Sequence, residues 1–70
     1  MTEMTPVTSS LIKAVGYDSE KEELHVEFHK GGEYVYQGVP QAIAMSFERS
    51  PSAGRYFLNN IKPVYEGVKV

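Results

Sequence analysis

The residues best suited to chemistry sit late in the chain, where Ser50, Ser52, Gly54 and Arg55 come in close succession and Asn59 and Lys62 follow. At the start of a helix such a group offers free backbone N–H groups, hydroxyls and a cation to an anion such as phosphate. An arginine in a first turn is electrostatically misplaced unless an anion or a carboxylate compensates it. Arg55, Asn59 and Lys62 follow at steps of four and three, which puts them on one helical face able to track a nucleic-acid backbone. The purely structural alternative is serine capping, a glycine chosen for close packing, and Arg55 paired with Glu48 or solvent.

Other combinations are weaker. His25 and His29 would match a two-ligand zinc spacing on a helix, but on a strand they stand roughly 13 Å apart, too far for one metal to bridge. Glu27 or Glu33 with either histidine, or Ser52 as a nucleophile, lacks a supporting motif, and a domain this small has little room for a water-excluding pocket. No catalytic residue, metal or cofactor is therefore expected, and the chain is read as a non-enzyme. Tyr34, Tyr36 and Tyr56 are available to stack on bases if exposed, and Lys13 and Lys30 could add phosphate contacts. Glu20, Glu22 and Glu23 are explained by a solvated turn and make that end of the molecule a poor surface for RNA.

These residues need a scaffold. Ser10 to Tyr17 alternates weakly and predicts a first strand. Glu23 to His29 alternates cleanly, with Leu24, Val26 and Phe28 on one face and His25, Glu27 and His29 on the other, the pattern of a half-buried antiparallel strand. Gly31-Gly32 supplies a hairpin turn and Glu33 to Gly38 returns as the third strand. After Val39-Pro40 the period changes: Val39, Ile43 and Phe47 recur every four residues, with Ala42 and Met45 widening the face. Ser50-Pro51-Ser52 interrupts, and Ala53, Phe57 and Ile61 line a second helix that Pro63 stops. The expected fold is α+β, a three-stranded antiparallel β-meander with two helices packed on one face (β-β-β-α-α).

The hairpin register decides what the tyrosines do. A strict two-residue Gly31-Gly32 loop sets Phe28 opposite Val35 and puts Tyr34 and Tyr36 on the outer face as an aromatic platform. A three-residue loop, Lys30-Gly31-Gly32, sets Phe28 opposite Tyr34 and puts both tyrosines under the helices. The second is preferred, because a small core can ill spare two rings. The open face is then His25, Glu27, His29, Glu33, Val35 and Gln37.

Seventy residues make one domain at most. The expected division is a flexible leader over 1–8, a single domain over 9–65 and a short tail over 66–70. Absence of cysteine leaves neither a disulfide framework nor a thiolate metal site. No window approaches the roughly 20 apolar residues that span a bilayer, so no membrane association is expected and a cytoplasmic protein is the simplest reading. Seven basic against nine acidic side chains give a net charge of -2, which argues against strong salt-driven binding to a polyanion and makes any nucleic-acid contact local.

The order Ser9-Ser10, Gly16-Tyr17, Leu24-x-Val26-x-Phe28, Tyr34-x-Tyr36, Val39-Pro40, Ser52-x-Gly54, Phe57, Ile61 and Tyr65 resembles the KTSC domain, over nearly the whole stretch from Ser9 to Tyr65. That family is named for a C-terminal extension of some lysyl-tRNA synthetases and also occurs as small stand-alone proteins of bacteria and their phages. Its signature is the Tyr-x-Tyr pair, and its proposed role is RNA binding. The resemblance implies a β-meander with helices and a prior for RNA, with no catalytic or ligand residue to carry over. Ser50-Pro51 departs from the small residue expected ahead of Ser52-x-Gly54 and could shift the start of the second helix. The leading expectation is thus a non-catalytic module binding tRNA or single-stranded RNA through Ser52, Gly54, Arg55, Asn59 and Lys62, with Tyr34 and Tyr36 for stacking. The alternative is a protein-interaction module, of phage or prophage origin, that takes a protein partner on its sheet edge or outer sheet face.

Overall fold

A computed structural model describes residues 4–70. Its frame is a five-stranded antiparallel sheet in which the strands lie side by side in chain order. The strands are β1 (Thr5–Pro6), β2 (Ile12–Asp18), β3 (Glu23–Phe28), β4 (Glu33–Gln37) and β5 (Gly67–Lys69). Between β4 and β5 run helix α1 (Gln41–Arg49) and helix α2 (Ala53–Tyr56), the latter continuing directly into a π-helical turn (Phe57–Ile61).

The expected meander is the middle of this sheet, and the strand count of three is corrected to five. Part of the expected leader, residues 1–3, lies outside the described residues, but Thr5 and Pro6 pair with Val15 and Ala14. Gly67 to Lys69 of the tail pair with Tyr36 to Tyr34. Two- and three-residue strands hold by backbone hydrogen bonds to an open edge and are too short to display a period of two.

The weak alternation of the first strand has a structural cause. Opposite Phe28 and Glu27 of β3, strand β2 places Ile12 and Ala14, so Lys13 is an extra residue in a β-bulge. The bulge switches the face, and Ile12 and Val15, which simple alternation would set on opposite sides, are both fully buried in the core. The strand begins at Ile12 rather than Ser10.

In the β3–β4 hairpin, Val26 lies opposite Tyr34 and Leu24 opposite Tyr36. The Phe28 N–H donates to the Gly32 carbonyl at 3.0 Å, enclosing His29, Lys30 and Gly31, and Gly31 and Gly32 take positive φ. The expected pairing of Phe28 with Tyr34 is therefore slid by two residues along β4. A slip of two preserves the face, so both tyrosines lie on the core side as expected, while a slip of one would have inverted them.

Both helices cover that face. Ala53, Phe57 and Ile61 are buried, as the step of four required. On α1 the buried residues are Ala44 and Phe47; Ala42 and Met45, expected to widen the face, are exposed, because Ala44 lies on the Phe47 side of the helix, three residues before it. Pro40 stands at the N-cap, its carbonyl accepting from Ile43 and Ala44. Steps of four overshoot an α-helical turn by about 0.4 residue each. The wide π turn, closed by the Lys62 N–H donating to the Phe57 carbonyl, takes back that drift and keeps Ile61 on the core. No helix among the described residues is long and apolar enough to cross a membrane.

Candidate functional site

Ser9 organises one wall of the site. Its Oγ accepts the backbone N–H groups of Leu11 (3.1 Å) and Ile12 (3.3 Å), fixing the chain as it enters β2. Against this turn packs the first turn of α2, and the contact is close at Gly54, where a Cβ would lie 3.1 Å from Ser9 Oγ and 3.5 Å from Leu11 Cβ. Gly54 thus serves close packing. Ser52 stands at the N-cap but makes no side-chain cap bond; instead Ser50 Oγ accepts the Ser52 N–H at 3.2 Å. The hydroxyl of Ser52 is left to face the surroundings.

Between these walls runs an open groove of about 550 Å3. Ser9, Ser10 and Leu11 line one side, and Ser52, Gly54, Arg55, Leu58 and Asn59 the other. No carboxylate lines it. Among the described residues the ion pairs are Lys13 with Glu27 and His25 with Glu23 and Glu33, so Arg55 is paired with neither Glu48 nor any other described carboxylate. The first half of the expected cluster, Ser52, Gly54, Arg55 and Asn59, is therefore brought together, joined by Ser9 and Ser10 from the far end of the chain.

Lys62 is not in that groove. It lines a smaller cleft of about 280 Å3 with Leu11, Phe28, Tyr34, Tyr36, Phe57 and Leu58. Phe28 meets Tyr34 edge-on with centroids 5.7 Å apart and Phe57 at 5.2 Å, and Tyr36 meets Phe57 at 5.4 Å. Tyr36 is 7% exposed and belongs to the core, whereas Tyr34 is half-buried. Burial raises the Tyr36 hydroxyl above its ordinary pKa, with a smaller contribution from Tyr34. Tyr56 is also half-buried, its ring stacked on Phe47. Sequence spacing suggested a single face for Arg55, Asn59 and Lys62. The two hollows part them, with Leu11 and Leu58 lining both.

The open face of the sheet carries the carboxylates. His25, opposite Gly16 and Val35, has Nδ1 3.2 Å from Glu33 Oε2 and Nε2 3.8 Å from Glu23 Oε1. His29 turns away at the hairpin, its Nε2 2.9 Å from the Ser9 carbonyl oxygen. The two histidines do not converge, and no group of three or more metal-ligating side chains among the described residues is placed to hold a metal ion. Lys13 reaches Glu27 at 3.9 Å on this same face, and Lys30 is exposed at the hairpin tip, so neither extends the groove.

Sequence reasoning missed Ser9, Ser10, Leu11 and Leu58 as site residues. The Ser9-Ser10 pair was visible, but only the fold puts it beside Gly54.

Comparison with known proteins gives a consistent result. A KTSC domain protein from Yersinia pestis, known from a crystal structure, is 34% identical, and the match covers 100% of this chain and 99% of that one with a TM-score of 0.96. An uncharacterized protein of Stutzerimonas stutzeri is 38% identical over 55 residues, 79% of this chain and 78% of that protein. A lysine–tRNA ligase of Trichormus variabilis is 38% identical over 53 residues, which are 76% of this chain and 9% of that enzyme. The model of the KTSC domain matches residues 8–65, and the chain belongs to the KTSC domain family.

Proposed function

We propose that this domain is a non-catalytic module that binds RNA in single-stranded form, in the cytoplasm, by holding phosphate in the groove beside α2. The lining of the groove carries this reading: Arg55 free of any described carboxylate, the hydroxyls of Ser10 and Ser52, the Asn59 amide, and no acidic side chain. The acidic residues Glu23, Glu27 and Glu33 lie on the opposite, open face of the sheet, where they repel phosphate rather than compete at the groove. With a net charge of -2, binding of this kind is local and modest, limited to a few phosphates. The likeness of the chain to part of a lysine–tRNA ligase adds support.

The test is RNA affinity, measured by fluorescence anisotropy with a tRNA pool and a short single-stranded RNA at low and moderate salt. Arg55→Ala should weaken binding and reduce the salt slope by about one phosphate contact. Arg55→Ala with Lys62→Ala should abolish it in a domain that still unfolds cooperatively. Unchanged affinity in the folded double variant overturns the reading.

A protein-interaction module is the second reading. It is favoured by β5, whose outer edge is unpaired among the described residues and which sets Val68, 56% exposed, beside Val35 on the outer face. A concentration-dependent shift in size-exclusion elution, together with no RNA binding, would select it.

A further inference from the structure

We infer that the aromatic cleft beside the groove is a base pocket: it takes one unpaired base of the RNA strand whose phosphate lies against Arg55. This rests on the RNA reading above and deepens it. Four observations converge on the cleft.

First, the two hollows adjoin, with Leu11 and Leu58 lining both. Second, these two shared side chains are apolar and open to solvent, Leu11 being 37% and Leu58 50% exposed. Two large exposed apolar side chains in the lining of an aromatic hollow suit a ligand with a flat apolar face.

Third, the chemistry of the walls matches a base. The half-buried Tyr34 and Phe28 supply aromatic surface, and Lys62 adds a cation to the lining. No carboxylate lines the cleft, so from Arg55 to Lys62 the whole path is compatible with a polyanion. Its volume of about 280 Å3 is just under the usual range for drug-sized ligands, about 300–1,000 Å3, and suits a single ring system.

Fourth, the helix is irregular where it borders the cleft. The π turn from Phe57 to Ile61 includes Leu58, and the Lys62 N–H closes it, so the one non-α turn of the described helices bears the cleft wall. Such wide turns recur at functional sites. An unpaired base is required because a base stacked within a duplex cannot present its face to a protein hollow.

The experiment compares octauridylate with an abasic ribose-phosphate chain of the same length, by anisotropy, on wild-type protein, Tyr34→Leu and Arg55→Ala. Aromatic carbon–proton spectra follow the rings during titration. The base-bearing strand should bind wild-type protein at least about fivefold tighter than the abasic one. Ring signals of Phe28 and Tyr34 should shift only with bases present, and Tyr34→Leu should erase the difference. Equal affinity for the two strands, still dependent on Arg55, overturns the base pocket and leaves the phosphate groove standing. A preference for bases with shifts confined to Tyr56 overturns the location. Failure of both strands to bind overturns the RNA reading and the pocket together. The wild-type spectra decide the matter even if Tyr34→Leu does not fold.

Discussion

Gly67 packs closely against the ring of Tyr36: the two are cross-strand partners in β4 and β5, and a Cβ on Gly67 would stand 2.5 Å from Tyr36 Cε2 and 2.6 Å from Cζ. The ring cannot simply move aside, since its other contacts include Phe57 edge-on at 5.4 Å. Gly67→Ala should therefore cost about 1–3 kcal/mol, the range for overpacking, in urea unfolding. An alanine variant as stable as the wild type would show that β5 is not seated on Tyr36.

The two tyrosines of the signature should separate energetically. Tyr36 is buried among core residues, and Tyr36→Ala should cost about 3 kcal/mol or more. Tyr34 is half-buried and keeps part of its ring in the cleft, so Tyr34→Ala should cost about half as much. Equal losses in the same unfolding assay would contradict the difference in burial.

Ser9 and Gly54 should couple. Alanine in place of a helical glycine gains up to about 1 kcal/mol in propensity. Here the added methyl would press on Ser9 Oγ, which cannot retreat without loosening its bonds to the Leu11 and Ile12 N–H groups. Gly54→Ala should be net destabilising by about 1 kcal/mol in the wild type and closer to neutral in a Ser9→Ala background. Stabilisation by the single substitution would show that the turn yields freely.

Alkaline pH should weaken the fold through Tyr17, whose hydroxyl donates to the buried Val39 carbonyl and joins β2 to the start of α1. Burial raises its pKa above 10.0, followed by the charges of Glu22 and Asp18 and by Tyr65. A raised pKa means that the folded chain holds this proton more tightly than the unfolded one. The contribution is therefore complete below about pH 10 and lost as pH rises through the folded value. Tyr17→Phe should cost about 1–3 kcal/mol near neutral pH, by orphaning the carbonyl, and should make the alkaline decline shallower. A decline equally steep in the variant would assign the effect to other groups.

Much of the fold was legible because its signals are local. The alternation of Leu24, Val26 and Phe28 identified β3, the glycine pair marked its turn, and the steps Ala53–Phe57–Ile61 picked out the buried side of the second helix. The choice of core over surface for Tyr34 and Tyr36 followed from the volume a small core needs, and it survived a register slip of two residues because two is the strand's own period. Of the candidate groove, residue type and spacing alone had grouped Ser52, Gly54, Arg55 and Asn59, which share one lining.

What spacing along one segment cannot carry is the meeting of distant segments. Strands β1 and β5 exist only because the sheet offers them edges, and the bulge at Lys13 exists because Ile12 and Val15 must both reach the core. The groove depends on Ser9 lying within van der Waals reach of Gly54, and the cleft depends on a hairpin and a π turn converging on Leu11 and Leu58. Sequence by itself determined the faces, which are set by periods of two and about four within short stretches. Tertiary structure decided which faces meet, and so placed Arg55 and Lys62 in two adjoining hollows, because contacts between elements are settled by the packing of the whole core.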